Sequence, residues 1–331
     1  MNKRVTIADV ARTAGVSMMT VSRVVNDSGP VSESTRQRVL LAVGELGYRP
    51  SGLARGLATR RTATIGLVVP DVANPFFAGV AKGVEQIAYA EGYNVFLGNT
   101  GEDPEHELTL LQSLEEKRVD GLILCSSRLP EADLRQALQW HGATVLVNRQ
   151  LEGFGAVLVD DQRGAIALVE HLLSGGRRRI GMLAGPETSH SCRLRLLGYD
   201  SVLQEAGMQR RQGWMLRCAP DVAGGRQGAI NLLQAYPELD ALLCFNDLVA
   251  VGALQAAAEL GRSVPDDLAI TGFDDIPLAA LMTPPLTTCS VPVFDLGDQA
   301  MRLLLEQIGG CDEGCERIVL APELVIRGSA P

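Results

Sequence analysis

The chain opens with three short stretches of helical periodicity. Between Thr6 and Ala14 the apolar residues Ile7, Val10, Ala11 and Ala14 recur at i, i+3, i+4 and i+7. With Thr6 as N-cap and Asp9 in the first turn, they predict an amphipathic helix that Gly15 ends. One residue later, Ser17 can cap a second helix to about Asn26, with Val21, Val24 and Val25 on its inward face. A third, capped near Ser32 and buried through Val39, Val43 and Leu46, stops at Gly47. From Ala63 the pattern changes. Apolar runs at 65–69, 93–97, 121–124 and 144–147 read as buried strands between helices near 77–91, 104–118 and 131–141. A second series follows, with strands at 179–183, 214–218, 241–244 and 268–271 and helices at 164–173, 194–206, 225–235 and 247–260. After Val293 a helix through Leu305 and a last strand near 318–320 are expected to fold back. Two such series imply two doubly wound lobes, and ligands of such sheets bind beyond the carboxyl ends of the strands.

At 331 residues and 46% hydrophobic, the chain has room for two or three domains and is unlike disordered, collagen or disulfide-scaffold sequences. It has no run of ~18 apolar residues. Met1-Asn2-Lys3-Arg4 leads into polar Thr6 and Asp9 rather than an apolar signal core, so a cytoplasmic protein without a membrane partner is expected. Seven scattered Cys suit a reducing compartment. Cys311 and Cys315 form the one close pair and lack the second pair of a zinc site, so no metal and no cofactor are expected.

The net charge of -9 hides an asymmetry. Residues 1–61 hold ten Lys/Arg against four Asp/Glu, a balance of +6, and the remainder carries -15. A basic head on an acidic body is expected when only the head meets a polyanion. The tight helix-Gly-helix unit in that head, with Met18, Met19, Ser22 and Arg23 outside the valine face, has the helix-turn-helix pattern whose second helix enters the major groove.

The blocks Thr6-Ile7-Ala8-Asp9-Val10-Ala11, Gly15-Val16-Ser17, Thr20-Val21-Ser22-Arg23-Val24-Val25-Asn26 and Leu46-Gly47-Tyr48-Arg49-Pro50 resemble the head of the LacI/GalR family of bacterial transcription regulators. The resemblance implies that Met18, Met19 and Arg23 read bases, while Thr6, Ser17, Thr20, Ser22 and Asn26 contact or orient the DNA backbone. Arg23 can pair bidentately with guanine, and the methionines offer apolar contact such as to a thymine methyl. Residues 50–62 resemble the family's hinge helix, in which Leu57 would wedge into the minor groove beside Arg55. Gly52 and Gly56 each cost about 1 kcal/mol in a helix, so ordering only on DNA is expected.

The body resembles the family's effector domain, itself like type I periplasmic sugar-binding proteins. In those relatives the matching positions hold a sugar, which implies that Phe76 and Phe77 pack on its apolar face while Asn74, Asn148, Arg149, Arg195, Asn246 and Asp274 surround its hydroxyls. Many sugar-binding members have Asp where this chain has Asn148, an aromatic near Pro220 and a polar residue near Val291; the cleft is thereby expected to lose one charge and one stacking wall.

The implied organisation is a helix-turn-helix domain at 1–49, a hinge at 50–62 and an effector-binding and dimerisation body at 63–331. One lobe would comprise about 63–160 and 291–319, the other about 161–290 and 320–328. The expected function is a homodimeric repressor of a near-palindromic operator on double-stranded DNA, modulated by a sugar or sugar acid. The same architecture could use a corepressor with a non-sugar ligand. A nucleotide-dependent α/β enzyme is disfavoured: G-x-G-x-x-G after the first strand, G-x-x-x-x-G-K-[ST], G-x-S-x-G and H-E-x-x-H are all missing, and no strand-end nucleophile has an obvious base.

Overall fold

The computed structural model describes residues 5–48, 61–310 and 316–331. The expectations for Arg55 and Leu57 in the hinge, and for Cys311 and Cys315, lie outside the described residues. The chain divides into two units, Met1–Thr62 and Ala63–Pro331.

In the first unit α1 spans Ile7–Ala14, α2 Met18–Val25 and α3 Glu33–Leu46. Thr6 and Asp9 cap α1 reciprocally: the Asp9 N–H donates to Thr6 Oγ1 (3.4 Å) and the Thr6 N–H to Asp9 Oδ2 (3.0 Å). Gly15 then turns the chain at φ +63°, a left-handed conformation that glycine adopts without a Cβ penalty. Val10, Val21 and Val39 are fully buried, joined by Ala11, Ala14, Val24 and Ala42. Val25, Val43 and Leu46, expected on the inward face, are half-buried at its margin; Ala42, three residues after Val39, takes the inward position. Ser32 precedes α3 as expected, but its hydroxyl donates to Thr35 Oγ1 (2.9 Å) and caps no backbone N–H.

In the second unit β1 (Thr64–Val69), β2 (Asn94–Asn99), β3 (Gly121–Cys125), β4 (Ala143–Val147) and β5 (Gly155–Val159) form one parallel sheet with β11 (Arg317–Leu320), in the order β11-β5-β4-β3-β1-β2. The helices α4 (Pro75–Ala90), α5 (Pro104–Glu116) and α6 (Glu131–Leu138) connect the first four strands. A second parallel sheet, β7-β6-β8-β9, comprises β6 (Ile180–Ala184), β7 (Met215–Arg217), β8 (Ala241–Cys244) and β9 (Ala269–Thr271). With it alternate α7 (Asp161–Ser174), α8 (His190–Glu205), α9 (Val222–Ala235) and α10 (Asp247–Glu259). β10 (Thr288–Ser290) pairs antiparallel with β12 (Glu323–Val325), and bridges from Thr271 to Thr287 and Asp274 to Ser290 tie it to the second sheet. Between them α11 (Val293–Ile308) and β11 return to the first sheet. The chain thus passes between the sheets three times.

Helix α7 begins three residues before the expected Gly164, because the Asp160 carboxylate accepts the Arg163 N–H at 3.2 Å and caps it there. The pattern reading did not include β5, β10 or β12. β10 and β12 have three residues each, too few to show a period. Two glycines set the contact of α4 with α11. A Cβ on Gly297 would lie 2.0 Å from the Val80 carbonyl oxygen, and one on Gly83 would lie 2.2 Å from that of Phe294. The helices therefore meet backbone to backbone.

Candidate functional site

The outer face of α2 is set by its valines. With Val21 and Val24 turned inward, Met18 and Met19 are left 56% and 65% exposed and Arg23 is exposed. The two adjacent methionines give the helix a small apolar surface beside Arg23. Ser17 accepts the Thr20 N–H (3.1 Å) and shares a hydroxyl bond with Thr20 (2.9 Å), while Asn26 Nδ2 donates to Ser22 Oγ (3.2 Å). Thr6, Ser17 and Asn26 are exposed, and Thr20 and Ser22 half-buried, so this polar set borders the methionine and arginine surface.

In the second unit the strand-end loops of both sheets face one cleft with about 390 Å³ of empty space, open solvent included. From the first sheet come Asn74, Phe76 and Phe77 after β1, Glu102 after β2, Ser126 and Arg128 after β3, and Asn148 after β4. The second sheet supplies Ser189, Ser191 and Arg195 after β6, Pro220 after β7, Phe245 and Asn246 after β8, and Asp274 after β9. Four of these, Glu102, Ser126, Asn148 and Asp274, have positive φ (+63°, +48°, +53° and +110°). Such backbone strain is retained where surrounding structure holds it, as at ligand sites.

Several of these polar side chains also serve the fold. Asn74 Oδ1 accepts the Phe76 N–H (3.0 Å) and caps α4; Asn246 Oδ1 accepts the Val249 N–H (2.9 Å), caps α10, and its Nδ2 donates to the Pro220 carbonyl (3.1 Å). Asn148 Oδ1 accepts the Val159 N–H of β5 (3.1 Å). Phe76 and Phe77 meet edge to face at 5.1 Å, belonging to the core while lining the cleft. Arg195 is buried, with Nη2 2.8 Å from Asp161 Oδ1 and 3.6 Å from Asp274 Oδ1, and its Cζ lies 3.6 Å from the Phe273 ring centroid and 5.0 Å from that of Phe245. Burial opposes its charge, but Asp161 and Asp274 outweigh burial and push its pKa up. Burial lifts Asp274 well above the usual carboxylate range, against the pull of Arg195. Behind it, burial raises Asp247 to about 7, although Thr288 Oγ1 (2.6 Å) and the Ile276 N–H (2.8 Å) donate to its carboxylate. On the opposite wall Glu102 holds Arg128 in a two-point ion pair.

The family models decide the lineage. Residues 6–51 match the model of bacterial regulatory proteins of the lacI family, and residues 62–325 match that of periplasmic binding proteins and the sugar-binding domain of the LacI family. The chain belongs to the LacI family. It is 38% identical to a ribose operon repressor of Halalkalibacterium halodurans over 97% of this chain and 96% of that one. It is 37% identical to the HTH-type transcriptional repressor PurR of Haemophilus influenzae, over 98% of both chains. The lac repressor dimer bound to operator and the anti-inducer ONPF superposes with a TM-score of 0.88 at 30% identity, covering 99% of each chain. The two-part LacI-family architecture, a helical head and an α/β body of the periplasmic-binding type, is that expected from the sequence.

Of the eight residues expected around an effector, this LacI-family cleft brings together Asn74, Phe76, Phe77, Asn148, Arg195, Asn246 and Asp274. Arg149 is not among the residues that line it. Its Nη2 donates to the carbonyl of Leu129 (3.1 Å), the residue following the lining Arg128. Phe245 also lines the cleft and adds a third ring to Phe76 and Phe77, while the positions flanking Pro220 carry no aromatic, as expected. Phe245, Glu102, Ser126, Arg128 and the buried counter-ion Asp161 were not singled out from sequence. Phe245 and Phe273 each immediately precede a recognised polar residue, Asn246 and Asp274, at a strand end, and that adjacency is the signal available for them.

Proposed function

We propose that this chain is a homodimeric repressor whose operator affinity is set by a small polyhydroxylated effector held between the two lobes of its body. The observation that carries this reading is the cleft itself, where rings and hydrogen-bonding groups converge from the carboxyl ends of both sheets. Its charges are internally matched, Arg195 by Asp161 and Asp274 and Arg128 by Glu102, which favours a neutral polyol over a strongly anionic ligand. The ribose operon repressor relative makes a pentose the first candidate, and PurR makes a purine or nucleoside the second.

In this reading residues 1–49 dock on operator half-sites, with phosphate contacts supplying salt-dependent affinity and Met18, Met19 and Arg23 selecting sequence. Residues 50–62 with Arg55 and Leu57 act as the hinge, and 63–331 bind effector and dimerise. An effector that prefers one lobe arrangement shifts the population between operator-competent and incompetent dimers by that difference in affinity. The protein acts in the cytoplasm and has no catalytic role; none of the helices among the described residues is long and apolar enough to cross a membrane.

The test is a thermal-shift screen against pentoses, hexoses, sugar acids, nucleosides and purine bases. A compound bound by the folded state alone raises the melting temperature by mass action, and the same compound must then change operator affinity. If none does so at millimolar concentration, the effector reading is lost while the DNA-binding head stands.

A further inference from the structure

A second, larger cavity lies on the helices that connect β2, β3 and β4 of the first sheet, and shares no lining residue with the effector cleft. It holds about 730 Å³ of empty space, open solvent included, between α5 and α6. On α5 its wall is Leu108, Leu111, Gln112 and Glu115, spaced i, i+3, i+4 and i+7. The same spacing on α6 and its C-terminal end supplies Asp133, Gln136, Ala137 and Trp140. Each stripe is two helical turns, about 10 Å long. β2, β3 and β4 run parallel, so α5 and α6, which connect them in succession, run in the same direction. Asp133 opens its stripe and Glu115 closes its own, which places the two carboxylates at opposite ends of the groove.

No cation lines this groove. Arg135 pairs with Glu131 (3.6 Å), away from Asp133, and neither Asp133 nor Glu115 is in an ion pair among the described residues. His141, beside Glu115, is held by burial below its ordinary pKa, against the pull of Glu115 and of a hydrogen bond to the Leu111 backbone. The floor is apolar, and Trp140 is 69% exposed at one end. We propose that the groove between α5 and α6 is a binding site for a linear polyamine of spermidine length. Its methylenes would lie over Leu108, Leu111 and Ala137, its terminal ammonium groups at Asp133 and at Glu115 with Trp140, and its central nitrogen between the Gln112 and Gln136 amides. The apolar stem fits the floor, the charge matches the ends, and an indole face attracts an ammonium group. This site is separate from the effector cleft and does not depend on the effector reading.

The full chain reports on the site directly. It contains two tryptophans, and the other, Trp214, is 5% exposed. Spermidine titrated at physiological salt, which screens diffuse attraction to the acidic body, is expected to give a saturable change in tryptophan emission that Trp140→Phe abolishes. Binding read by calorimetry should weaken at least about tenfold in Glu115→Gln/Asp133→Asn, whose substitutions are on exposed positions and should leave thermal unfolding without spermidine unchanged. A non-saturable response, or equal affinity in the double variant, overturns the proposal in favour of diffuse charge attraction. A Trp140 signal that follows protein concentration but not spermidine also overturns it, and makes the groove a self-association face.

Discussion

Arg195 and Asp161 form a buried ion pair, Nη2 to Oδ1 at 2.8 Å, that joins the first residue of α7 to the first turns of α8. The guanidinium that offers a donor surface to the cleft is thus also a fixed part of the lobe. Removing it leaves a buried carboxylate without its counter-ion. Arg195→Ala is expected to destabilise the body by about 3–5 kcal/mol and lower its melting temperature, in addition to weakening effector binding. Denaturant unfolding of the variant beside effector titration separates the two effects; unchanged stability would show that Asp161 does not need this partner.

Arg23 is exposed beside Met18 and Met19 on α2. Arg23→Ala is expected to weaken cognate operator binding by about 1–3 kcal/mol and leave binding to random duplex nearly unchanged. Fluorescence anisotropy on both duplexes at matched salt checks this, and equal losses on the two would assign Arg23 to the phosphate backbone.

The buried Asp247 gives a pH dependence of unusual sign. Its pKa rises from an ordinary 3.8 to about 7 in the folded chain, so the folded state holds this proton more tightly than the unfolded one. Its contribution is fully present below pH ~4 and is lost as pH rises through about 7, by up to about 1.4 kcal/mol per pH unit. Unfolding measured from pH 5 to 8, a span chosen around pH ~7, should show a steeper decline in the parent chain than in Asp247→Asn. Identical slopes would refute the assignment.

Gly297 faces the Val80 carbonyl across the contact of α4 with α11. Gly297→Ala must push these helices apart, with an expected cost of about 1–3 kcal/mol seen as a lower unfolding midpoint. A neutral result would mean that the helices can separate freely.

Phe96 and Leu97 are exposed on β2, an edge strand of the first sheet. An apolar edge strand invites a partner, and in the homodimer proposed above a second protomer fits that need. Leu97→Asp is expected to shift the protein toward monomer in sedimentation and to weaken operator binding at least about tenfold. A variant that remains dimeric would move the interface elsewhere.

Periodicity, caps and charge in the amino-acid sequence were enough to determine the helical head, the alternating strands and helices of the body, and the strand-end loops that hold the cleft. These follow from local rules: Thr6 and Ser17 cap where they stand, and valines three and four apart must share a helix face. Tertiary structure decided what depends on partners distant in the chain. Asp161 became the counter-ion of Arg195, Phe245 joined the cleft and Arg149 left it, because each outcome is set by which groups the fold brings within hydrogen-bond or contact distance. The threefold passage of the chain between sheets was likewise decided by long-range pairing, since β10 and β12 are too short to carry a period and are held by hydrogen bonds to each other and, for β10, to the strand end at Gly272 and Asp274.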